Sequence, residues 1–185
     1  MSGTIISQNI SFKQYINLYK KAKLPFTITQ KKVEDRNKDP KNFMEDSIVS
    51  KFLELDLKVL TAKEGPHSYF QYYACPIKND SMIAVVYLRL VPVQCELYHL
   101  EIALYNTKTK KLIDKMHIST YNVSIAKQGS LSDDGTWGFG GPTVVDFYPA
   151  EIDKSLVVTT TGGVFQTTLS GFKVVSGHKE EATEW

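Results

Sequence analysis

From residue 69 onward, apolar and polar side chains alternate with a period of two, in runs that lie too close together for parallel pairing. The runs cover residues 69–77, 82–91, 97–105 and 111–121, separated by Asn79-Asp80, Pro92 and the turn at 106–110. Parallel neighbours need a crossover of a dozen or more residues, so these runs are predicted to form an antiparallel meander. The alternation also constrains register, because a one-residue slip exchanges core for solvent. Setting Tyr105 opposite Lys111 groups Leu104 with Leu112, Leu100 with Met116 and Tyr98 with Ile118 on an apolar face. The other face, expected to meet solvent, then pairs Glu101 with Lys115 and His99 with His117. In this register Asp114 falls opposite Ile102 on the apolar side, near the loop end.

The first third reads differently. Ser11 and Gln14 have capping-box spacing, and Phe12, Tyr15, Ile16 and Tyr19 recur at helical intervals, which predicts a helix ending before Pro25. Residues 27–38 are charged and lack periodicity, so they read as a loop leading to Asp39-Pro40, an N-cap and first-turn pair for a second helix. Ile48, Phe52 and Leu53 would form that helix's buried side, and Gly65-Pro66 would end the helical pattern.

The last third opens with a glycine-rich stretch, residues 135–142, followed by predicted strands at 143–148, 156–161, 164–169 and 172–175. Gly162-Gly163 between two threonine-rich runs is a hairpin signal, since glycine takes positive φ without strain. The segment 177–185 is polar and reads as a flexible tail. The expected fold class is therefore mainly β (α+β): one or two N-terminal helices, then an antiparallel meander forming a sheet, sandwich or partly open barrel. A chain of 185 residues fits one domain, with a helical front at 1–64, a β region at 65–176 and the tail at 177–185.

Charge narrows the function classes. A net charge of +2 supplies no strong general field, which argues against nucleic acid as partner. The front-end lysines Lys20, Lys21, Lys23, Lys31 and Lys32 are interleaved with acids further along and read as a solvated face. No run approaches the roughly 20 apolar residues of a membrane-spanning helix. The start lacks a secretory signal pattern, so the chain reads as cytoplasmic as written, and as periplasmic or secreted if a signal peptide has been removed.

Candidate chemistry is sparse. In the simple meander Cys75 and Cys95 lie on the order of 20 Å apart, beyond disulfide reach, and read as two reduced, half-buried thiols. His99 and His117, paired across strands, are candidate metal ligands, but no third ligand is apparent and metal sites need about three or four. Asp133 and Asp134, followed by Gly135, supply carboxylates whose bland role is turn geometry. His67 and His178 show no ligand spacing. Nucleophile-elbow, phosphate-loop and zinc-helix motifs are missing, so an enzyme is less expected than a binding protein, and no cofactor is implied. Trp137 and Phe139 alternate with glycines that do not shield them, so they are either a core plug or a recognition loop. Tyr72 and Tyr73 point to opposite faces of the first strand, so one aromatic face is expected to look outward.

The hairpin ladder, the Asp133-Asp134-Gly135 turn and the Gly162-Gly163 hairpin together resemble small bacterial β-rich proteins, including periplasmic lipoprotein-type domains and immunity proteins. The resemblance spans 69–175 and implies a binding role exercised through a protein surface. The resulting expectation is a non-enzymatic, inhibitor-like protein-binding domain acting through Trp137, Phe139, Tyr72 and Tyr73. The alternatives are a small hydrolase or metal-dependent enzyme using His99, His117 and Asp133 or Asp134, and a carbohydrate- or lipid-binding module using the same aromatics.

Overall fold

Ser11 begins the first helix as its sequence suggests. Its hydroxyl accepts from the Gln14 backbone, while the Gln14 side chain caps the Ser11 backbone in return. The helix, α1 (Phe12–Asn17), buries Tyr15 and Ile16. The computed structural model describes residues 10–37, 42–64, 68–92, 96–125, 129–131, 137–139 and 143–179.

The segment expected to be a loop is ordered. Phe26–Ile28 forms a short strand, β1, and Gln30–Asn37 forms a helix, α2. Sequence periodicity misses α2 because a single apolar residue, Val33, anchors it in the core while charged residues dominate the rest. The next helical element, α3 (Asp46–Ile48), runs into a π-helical turn at Val49–Leu53, and Ile48, Phe52 and Leu53 are buried as expected. Glu54 ends that turn at φ 53°. The sheet satisfies its last carbonyls: Tyr105 Oη donates to Phe52 O at 2.7 Å and Lys115 Nζ to Leu53 O at 2.6 Å. A further helix, α4 (Leu57–Glu64), precedes the β region.

The predicted meander forms as β2 (Tyr69–Lys78), β3 (Met82–Pro92), β4 (Glu96–Asn106) and β5 (Leu112–Ile125). A two-stranded ribbon, β6 (Gly129–Leu131) with β7 (Trp137–Phe139), follows, and β8 (Thr143–Phe147) then pairs with β5 to complete a five-stranded sheet. The chain next builds a second antiparallel sheet from β9 (Ala150–Ile152), β10 (Val157–Thr159), β11 (Gly163–Thr168) and β12 (Gly171–Gly177), with β1 on its edge beside β9. One of the two sheets curls into a half-barrel.

One core lies between the sheets, joining Val86, Leu88, Leu100, Ile102 and Met116 to Ile28, Ile152, Val158 and Phe165. A second core covers the opposite face of the first sheet, where Tyr15, Tyr19, Phe52 and Leu53 pack on Val85, Tyr87, Ala103 and Tyr105. The face expected to meet solvent is therefore buried. His99, Glu101 and Arg89 are at most 4% exposed.

The β4–β5 register departs from the proposed one already at the turn, where Tyr105 does not face Lys111, and two bulges shift it further. Tyr105 faces Leu112, Leu104 faces Asp114 and Glu101 faces His117; beyond the second shift, Leu100 faces Ser119 and His99 faces Thr120. Each bulge adds a residue to one strand, which a strict two-residue alternation does not reveal. Asp114 is an anchor for the second sheet, because its carboxylate accepts from Phe172 N at 2.8 Å and from Lys179 Nζ at 2.6 Å. That contact also ties down the start of the segment read as a flexible tail; residues 180–185 lie outside the described residues.

The Gly162-Gly163 hairpin forms without positive φ at either residue. Thr160 Oγ1 accepts from both glycine amides, and Gly163 is required because the backbone at Ser176 and Gly177 passes close to it. The positive-φ glycines among the described residues are Gly171 and Gly177.

Candidate functional site

The front segment, expected to be a loop, builds one wall of an open cleft. After α1, residues 20–22 lie along the free edge of β2, with Cys75 N donating to Lys20 O at 2.8 Å and Ala22 N to Cys75 O at 3.1 Å. The chain then turns through Leu24 and Pro25 into β1, which belongs to the other sheet: Phe26 faces Ile152 and Ile28 faces Ala150. This segment thus bridges the rims of the two sheets, and α2 closes one side. Between them lies a cleft of about 550 Å³, open to solvent, within the size range of ligand pockets.

Its chemistry is two-sided. Lys20, Lys21, Lys23 and Lys32 line it against one acid, Asp35. That local excess of three positive charges, four lysines minus one aspartate, exceeds the net +2 of the whole chain. The apolar wall contains Phe26 and Tyr73, whose rings meet edge-on at 6.3 Å and 69°. Lys32 Nζ lies 5.9 Å from the Phe26 ring centroid and donates to Thr27 O at 2.9 Å, so one cation is held against the aromatic wall.

Set against known protein families, curated proteins and solved structures, the chain matches none.

The residues singled out in the sequence distribute as follows. Tyr73 lines the cleft but is buried at its base, while Tyr72 is buried on the opposite face against Tyr15 and Tyr19, so neither forms an outward aromatic surface. Burial and the charge on Glu45 hold the Tyr72 phenol well above its ordinary range. Trp137 and Phe139 lie in β7, opposite Leu131 and Gly129; their side chains lie outside the described residues, as do Asp133, Asp134, Cys95 and His67. Cys75 is a buried free thiol, pushed up to about 11 by burial. His178 is exposed.

His99 and His117 do meet, as rings 5.3 Å apart at 74°, but beside the buried Arg89 and Glu101 rather than on a solvent face. Arg89 Nε lies 3.2 Å from Glu101 Oε1, with both side chains essentially inaccessible, so Glu101 is paired with Arg89. Burial, Arg89 and His117 push the His99 imidazole down to about 3; burial and Arg89 push His117 to about 4. Both rings are therefore neutral near pH 7, and Thr120 Oγ1 lies 3.0 Å from His117 Nε2. Among the described residues, no group of three or more His, Cys, Asp or Glu side chains is placed to hold a metal ion.

Most of the lining lies within residues 20–35, but the wall it closes against, at Tyr73 and Ala74, comes from β2, so the concavity is not legible in the local pattern. Its signal was the lysine cluster preceding the Phe26-Thr27-Ile28 triplet, which has strand character once Pro25 is taken as a break.

Proposed function

We propose that this protein acts by non-covalent capture of a partner protein, and that it holds an acidic segment of that partner in the lysine-lined cleft between residues 20–27, α2 and β2. The observation that carries this reading is the concentration of four lysines around one cavity in a chain whose overall charge is nearly balanced. A local basic cleft attracts a short acidic stretch, whereas a long polyanion such as nucleic acid responds to an extended positive field that a net +2 does not supply. Neutralisation of a cognate protein, as in immunity proteins, is the form of this role that the sequence resemblance implies. The β7 residues Trp137 and Phe139 are a second proposed contact.

The test is titration of a fluorescent oligoglutamate peptide into the full chain at low and at high salt, repeated with the variant Lys20→Glu/Lys23→Glu. Both side chains are exposed, so the fold should tolerate the change. The reading expects binding that weakens with salt, through screening of exposed charges, and that the double variant abolishes. Absence of binding, or equal binding by the variant, would overturn it, as would tighter binding of a single-stranded oligonucleotide at the same site.

A further inference from the structure

We infer that the cleft's occupant is an acidic segment carrying an aromatic side chain, with its ring against Phe26 and its flanking carboxylates on the lysines. This rests on the acidic-partner reading above and adds to it the identity of the anchor. A purely electrostatic site would need only the cations. Here they surround an apolar wall: Phe26 is only partly buried, Tyr73 stands edge-on to it, and Ala22, Pro25 and Ala74 add apolar surface nearby. Exposed ion pairs contribute little each and are screened by salt, so lysines alone give weak, unselective attraction. Burying an aromatic ring removes about 150–250 Å² from water, and ring pairs add their own edge or offset preference. A cavity of about 550 Å³ has room for such a side chain together with part of its backbone.

Lys32 links the two halves. Its ammonium is held over Phe26 by its hydrogen bond to Thr27 O, where it can meet an arriving carboxylate at the edge of the ring site. The recognition pattern is then an aromatic residue with acids on either side. An acidic stretch without a ring would leave Phe26 facing water, and a ring without acids would leave the lysines unneutralised.

Two labelled peptides separate this inference from the reading beneath it: a run of glutamates with a central tryptophan, and the same run with serine at the centre. The tryptophan peptide should bind the full chain roughly tenfold tighter or more. That preference should vanish in Phe26→Ala, while Lys20→Glu/Lys23→Glu should abolish binding of both peptides. Should Phe26→Ala fail to fold, Phe26→Leu retains apolar bulk without the ring face and should reduce the preference. Equal affinity of the two peptides for the native chain would overturn the aromatic anchor and leave the acidic-partner reading standing. Binding of neither would overturn both. A preference that survives both Phe26 substitutions would put the tryptophan elsewhere and overturn the inference.

Discussion

Arg89, Glu101, His99 and His117 form a polar cluster inside a covered sheet face, and its chemistry is set by desolvation. A buried ion pair is weak evidence for net stability, yet removing one member leaves an uncompensated charge. The imidazoles respond to the same environment with values near 3 and 4, below the ordinary 6.5. As pH falls from about 6.5, the unfolded chain takes up protons that the folded chain refuses, so stability is full above 6.5 and declines toward pH 4. Melting temperatures should therefore fall over that window. The fall should be shallower in His99→Asn/His117→Gln, and an unchanged slope would show that other groups govern it.

At the level of elements, the two sheets are joined where the β11–β12 turn meets β5. Gly171 has φ 119°, and a Cβ there would lie 2.5 Å from Asp114 Oδ2. Gly171→Ala combines a forbidden backbone conformation with a collision against the carboxylate that anchors Phe172 and Lys179. A loss on the order of 1–3 kcal/mol in urea unfolding is expected; a loss within error would mean the turn shifts freely. The helical side is joined to the sheet by a buried phenol chain: Tyr105 Oη donates to Phe52 O, leaving its oxygen to accept from Tyr15 Oη at 3.2 Å, which in turn can accept from Tyr19 Oη at 2.7 Å. Burial is the leading cause that holds all three phenols well above their ordinary range, so the chain stays protonated and its hydrogen bonds remain available at neutral pH.

At the scale of the whole molecule, β3 and β4 are shared by both cores, with Val86 and Ile102 facing the second sheet while Val85 and Ala103 face the helices. Neither core can be lost without exposing the strands that support the other, so helix and sheet signals should melt in a single transition. Distinct midpoints in far- and near-ultraviolet dichroism would show that the helical side comes away on its own. The cleft belongs to this scale too, because it exists only where residues 20–28 cross from one sheet to the other.

Local pattern in the sequence determined the strands of the meander, the capped first helix and the buried side of α3 and its π-turn, since period and capping act over a few residues. Tertiary structure alone decided that the histidine face is covered, that two bulges shift β5, and that a charged stretch becomes β1 and α2. Each depends on what lies opposite in space: Val33 suffices to hold a helix only because a core awaits it, and a lysine-rich stretch becomes the wall of a cleft only where it crosses from one sheet rim to the other beside Tyr73 and Ala74.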